Sequence, residues 1–164
     1  MDDPGRRIAL RIPLGFGQDA GYPAMKTLFL ILALCASSLA EAPKWSTDVS
    51  KAISQAGREN KIGFILLGRE ACSNCQAIRK MVNESTVPVT ADAFVIADIN
   101  VDDQKSRAEF DRKFKKEKFG DTLPFVVITD SHGKALASFN GYKSAADLTT
   151  IIEGAKAKVA TVKK

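Results

Sequence analysis

The residues from Phe64 to Ile78 constrain this chain more than any others. An apolar run, Phe64-Ile65-Leu66-Leu67, ends at Gly68; Cys72 and Cys75 follow, separated by two residues, and a helical pattern begins with them. The order is strand, turn, and a Cys-x-x-Cys pair at the mouth of a helix. A helix N-terminus presents unpaired N–H groups and partial positive charge, and both favour a thiolate placed there. The thiolate is the nucleophilic form of cysteine. A second cysteine one turn further on can reach back and close a disulfide. Cys72 therefore reads as the attacking thiol and Cys75 as the resolving one.

The chain has 164 residues and 3 cysteines. The remaining one, Cys35, falls in the apolar run Thr27–Ala36, which lies behind Met25-Lys26 and ahead of Ser38-Leu39-Ala40. A positive charge, a short apolar run and small residues at the cleavage positions make a secretory signal peptide over 25–40, cut after Ala40. The run falls short of the roughly 20 apolar residues that span a bilayer; an uncleaved anchor is the competing reading. Residues 1–24 are rich in Gly, Pro and Arg without periodicity, and are expected to be a disordered or mis-started extension ahead of Met25. Arg6-Arg7 stands too far from the apolar run for a twin-arginine signal. Leu34 is large where a lipid-anchor cysteine wants a small neighbour. Residues 41–164 then form one domain whose only cysteines are Cys72 and Cys75. Two cysteines so close together, in a domain with its own core, are not a stapling framework but a redox pair. The net charge of +5 says little about partners.

Ser46 or Thr47 is expected to cap a helix with Val49, Ala52, Ile53 and Ala56 on its inner face, ending near Gly57. Lys61–Leu67 is a strand apolar throughout, hence buried on both faces. The helix that starts at Cys72 turns Cys75, Ile78, Met81 and Val82 inward and Arg79, Lys80 and Glu84 outward, and breaks before Val87-Pro88. Ala93–Ile99 is a second strand. An aspartate after Asn100 caps the next helix, which buries Phe110 and Phe114. Phe125–Thr129 is a third strand, Asp130–Gly133 a hairpin turn, and Ala135–Asn140 a fourth strand. Ser144 caps a last helix with Ala145, Leu148, Ile151, Ile152 and Ala155 inward, losing its apolar face from Lys156. The crossover helix makes the first two strands parallel. The prediction is an α/β fold with a mixed four-stranded sheet, a parallel pair plus a C-terminal antiparallel hairpin, with helices on both faces.

This arrangement, with Cys-x-x-Cys after the first buried strand, Leu123-Pro124-Phe125 opening the third and Asp98-Ile99-Asn100-Val101-Asp102 closing the second, resembles the thioredoxin superfamily over residues 46–158. Its secreted single-domain members, related to periplasmic disulfide reductants, are the most similar in character. The resemblance implies the thioredoxin fold and thiol–disulfide exchange on protein cysteines. It also implies a cis Leu123–Pro124 bond beside the cysteine pair. The backbone of Leu123 would pair with a bound client strand, and Gly141 would help line the same groove. Three positions depart from the family pattern. Ala71 stands where many members have Trp, Leu66 where a buried carboxylate is usual, and Asp98 where Lys is common. The usual proton acceptor for Cys75 is therefore missing, and Asp98 is the candidate to replace it.

Other readings of the same residues stay open. The pair could be an inert disulfide on a non-enzymatic binding module, or part of a component delivering thiols or metals to a client such as a cytochrome. Structural zinc wants four Cys or His ligands, whereas 41–164 offers two cysteines and His132, which sits in a turn. In Arg112–Lys118 the phenylalanine falls at helical spacing with Phe110, which makes a core face and a wet lysine face rather than a nucleic-acid patch. Trp45 reads as an apolar lid. Arg69 would favour a thiolate at Cys72 and Glu70 would oppose it. The expectation is thus an exported, monomeric thiol–disulfide oxidoreductase. It needs no cofactor or metal, and it works with protein clients and an electron donor or acceptor protein.

Overall fold

Seven consecutive buried residues, Ile62–Gly68, form the axis of the molecule. The computed structural model describes residues 44–162, in element order β1 (Trp45–Ser46), α1 (Val49–Glu59), β2 (Ile62–Gly68), α2 (Ser73–Asn83), β3 (Phe94–Asn100), α3 (Gln104–Lys113), β4 (Phe125–Thr129), β5 (Ala135–Asn140) and α4 (Ala145–Val162). The expected signal peptide and the extension before it lie outside the described residues. The sheet order is β1-β3-β2-β4-β5. Strands β1 and β2 run parallel to β3, β4 runs antiparallel to β2, and β5 antiparallel to β4.

Alternation along β2 assigns its side chains to two cores, because successive residues of a strand face opposite ways. Phe64 and Leu66 join Ile78, Val82, Val126, Leu148 and Ile152, under α2 and α4. Ile65 and Leu67 join Val49, Ile53, Ile99, Phe110 and Val127, under α1 and α3. Truncating one of the large buried groups, Phe64 for example, costs about 3–5 kcal/mol. Gly63 faces Thr129 across the β2–β4 ladder, and the buried Thr129 Oγ1 has no hydrogen-bond partner.

The α/β thioredoxin fold expected from the sequence is present, with one correction: the sheet has five strands, not four. The extra strand is the segment around Trp45, which pairs Trp45 with Ile96 and Ser46 with Ala97. Trp45 packs edge-on to Phe64 and donates from Nε1 to Asn83 Oδ1 at 2.8 Å. Because Ser46 is still strand, neither it nor Thr47 caps α1. Asp48 does, accepting from the Lys51 amide at 2.8 Å, and this bond holds its carboxyl below the usual range. At its far end α1 closes on Asn60 in the left-handed conformation, φ 52°. Helix α4 also outlasts the expectation. Ala155 is still buried and Val159 still packs on the core, so the helix continues past Lys156.

Candidate functional site

At the end of β2 the chain must pass very close to the next helix. A Cβ on Gly68 would lie 2.8 Å from Cys75 Sγ and 2.9 Å from Leu66 Cδ2, distances no side chain tolerates. Glycine is thus needed here for close approach. The chain then turns, with the Cys72 amide donating to Arg69 O at 3.3 Å, and starts α2 with Cys72 as N-cap. The Cys75 amide donates to Cys72 Sγ at 3.3 Å, the contact a helix N-terminus offers an anion.

The two thiols are free and differ in surroundings: Cys72 is half-buried and Cys75 has no exposed surface. Burial, chiefly, pushes the Cys75 thiol up from 9.0 to about 11. Its hydrogen bond with Cys72 pushes the same way, while the Arg69 backbone amide and the charge of Arg79 oppose the rise. This is the asymmetry an exchange pair requires, one sulfur reachable from outside and one held back and protonated.

The Leu123–Pro124 peptide is cis. Asn74, between the cysteines, donates from Nδ2 to Leu123 O at 3.3 Å, which ties the motif to that loop. On the other side of the loop the Gly141 amide lies 3.0 Å from Thr122 O and 2.9 Å from Pro124 O. Gly141 adopts φ +70°, a conformation L side chains rarely take. Tyr142, next in sequence, is the large hydrophobic residue left exposed among the described residues, at 53 %. Five of the residues expected at the site, Cys72, Cys75, Leu123, Pro124 and Gly141, thus lie on the first turn of α2 and the loops beside it.

Asp98 is placed differently. It sits on β3 opposite Leu66, and both its carboxylate oxygens accept from Arg79, Nε at 2.6 Å and Nη2 at 3.0 Å. Arg79 is therefore not the outward-facing residue that the helical pattern implied. Its side chain is only 19 % exposed. Its remaining Nη1 donates to Arg69 O at 3.3 Å. A second fork lies beside the first: Arg69 donates from Nε and Nη2 to Asp102 at 3.1 and 2.7 Å. The guanidinium expected to act on Cys72 is thus partly neutralised by its own carboxylate, although its field still reaches both sulfurs. Behind the motif is a cleft of about 380 Å³ lined by Thr47, Gly68, Arg79 and Asp98 among others. Among the described residues no three His, Cys, Asp or Glu side chains gather as a metal site would require.

Fold comparison agrees with this architecture. Chloroplastic thioredoxin z aligns over 70 % of this chain and 96 % of its own, at 16 % identity and TM-score 0.53. A mutant thioredoxin from Halobacterium salinarum aligns over 70 % of this chain and 90 % of its own, at 16 % identity and TM-score 0.50. No family model and no curated sequence matches the chain. The class defined is an α/β protein of the thioredoxin fold carrying a Cys-x-x-Cys pair.

Proposed function

We propose that this protein exchanges thiols and disulfides with protein cysteines through Cys72 and Cys75. The observation that carries the reading is the sulfur of Cys72, half-buried at a helix N-terminus with the Cys75 amide aimed at it, beside a fully buried second thiol. Cys72 as thiolate attacks a client disulfide, forms a mixed disulfide and releases the first client sulfur. Cys75 then attacks Cys72 Sγ, closes the Cys72–Cys75 disulfide and releases the second. The client gains two electrons and the pair loses two; run backward, the same steps oxidise a client dithiol. Direction follows from the partner that resets the pair.

The client strand lies against Leu123, Pro124 and Gly141, with the backbone of Leu123 as its pairing edge. Asn74 already engages the Leu123 carbonyl, so this edge is held in place before a client arrives. The pattern of charge, apolar run and small residues over 25–40 supports work outside the cytoplasm after cleavage. The protein acts as a monomer and draws its electrons from, or passes them to, a second protein.

The test is trapping. Cys75→Ser is expected to accumulate client proteins as mixed disulfides that reducing agent releases, and Cys72→Ser to capture none. Alkylation of wild-type Cys72 near neutral pH is expected to outpace that of a free thiol, whose pKa is about 8.5. Modification at the free-thiol rate, together with no trapped client, would return the chain to a binding module.

A further inference from the structure

Cys75 must lose its proton to resolve a mixed disulfide, yet it occupies the place where losing it is hardest. It has no exposed surface, and burial holds its thiol well up. A buried anion forms only where charge or hydrogen bonds come to meet it. Arg79 follows Cys75 by four residues on α2, so both lie along one side of the helix. Its guanidinium is fixed at three points: two on Asp98 and one on the carbonyl of Arg69. The last contact matters because Arg69 directly follows Gly68, which lies against Cys75 Sγ, and its backbone amide is a donor that favours the Cys75 thiolate. The same guanidinium therefore anchors the loop carrying that donor and sets a positive charge behind the sulfur.

We propose that Arg79 is a positioning residue for the resolving step, clamped by Asp98 so that its charge and the Arg69 amide meet the Cys75 thiolate as it forms. The inference rests on the exchange reading above and specifies its second half. In that half-reaction Cys75 gives up its proton to solvent base. Its sulfur electron pair forms the bond to Cys72 Sγ. The bond from Cys72 to the client sulfur breaks, and that sulfur leaves as a thiolate and takes a proton from water. Arg79 keeps its protons throughout. Asp98, with both oxygens accepting from Arg79, serves as the clamp rather than as the base; such charge-assisted forks are strong and directional. The charged and titratable groups around Cys75 are Cys72, Arg69 and Arg79, with Asp102 and Asp98 behind the two arginines and Glu70 on the cleft wall.

The experiment uses the purified reduced protein and a chromogenic aromatic disulfide that releases one coloured thiolate at each displacement. Rapid mixing then separates attack by Cys72, the first phase, from resolution by Cys75, the second. R79Q is expected to slow the second phase about tenfold at neutral pH and move its pH midpoint up by about one pH unit, the equivalent change in thiolate population. The first phase changes by less than about threefold, which is under half a pH unit on the same scale. R79K, which keeps the charge without the planar fork, falls between wild type and R79Q. D98N slows the second phase about threefold relative to wild type, about half a pH unit on the same scale, and this variant decides the matter even if R79Q fails to fold, since an unchanged second phase would overturn the clamp. An unmoved midpoint in R79Q overturns the proposal. So does a second phase slowed more than about tenfold by D98N, which would make Asp98 the proton acceptor. Failure of the exchange reading looks different: the wild type then shows no second phase.

Discussion

The two ends of the central strands are built by opposite means. At the carboxyl end of β2, hydrogen bonds join residues far apart in sequence: Asn74 to Leu123, 49 residues away, Arg69 to Asp102 across 33, and Arg79 to Asp98 across 19. At the other end, the β4–β5 turn closes on itself. Asp130 Oδ1 accepts from the amides of His132 and Lys134, both at 2.9 Å, and Asp130 O accepts from Gly133 at 3.1 Å. A turn secured by neighbours forms with its own hairpin. A site secured across 19 to 49 residues exists only once the sheet has assembled. The proposed chemistry falls at the end whose geometry depends on the whole fold.

The sharpest way to break this contrast is to remove the leading sulfur. Cys72→Ser is expected to abolish exchange, at least about a thousandfold in a disulfide-reduction assay, because the remaining thiol, Cys75, is buried and held protonated. Its melting temperature stays close to that of the reduced wild type. Gly68→Ala comes next. Its methyl group would press on Cys75 Sγ and Leu66, and a loss of about 1–3 kcal/mol in urea unfolding is expected, with slower resolution because the buried sulfur is displaced. A melt as stable as wild type would show that the close approach at Gly68 is not needed.

Alkaline pH probes the same end more gently. The Cys75 thiol titrates higher in the folded protein than its ordinary 9.0, near 11, so between those values the native state binds the extra proton. Stability of the reduced protein is therefore fully present below about 9 and declines as pH rises toward 11. Chemical unfolding of wild type and Cys75→Ser across that window measures the difference, and parallel curves would contradict the burial argument. The smallest effect belongs to the opposite end. Asp130→Ala is expected to cost about 1–2 kcal/mol for two lost side-chain-to-backbone bonds and to leave the rate of disulfide exchange unchanged. A slowed exchange rate in that variant would show that the two ends are coupled.

What the sequence made legible follows the same division. The Asp130–Gly133 turn and the strands on either side were readable because their signals are local. So was the cysteine pair, by its spacing, while the cis bond at Pro124 was legible only through the family resemblance. Strand β1 was not readable: two residues carry no alternation, and only pairing with Ile96 and Ala97 makes Trp45–Ser46 a strand. Arg79 was misplaced for a related reason. A helical wheel puts an arginine beside Ile78 on the flank, and nothing in its own helix reveals that a carboxylate on β3 draws it in. Tyr142 gave no signal either, because exposure is a property of the finished surface.

The brevity of β1 has an effect out of proportion to its size. It stops at Ser46, opposite Ala97, so the outer edge of β3 has no strand partner from Asp98 to Asn100, and Thr47 forms one wall of the hollow there. Two more paired residues would roof that hollow over. A longer border strand would then shut out the water that reaches Arg79 and Asp98, and their fork would sit in a drier setting where its charges interact more strongly.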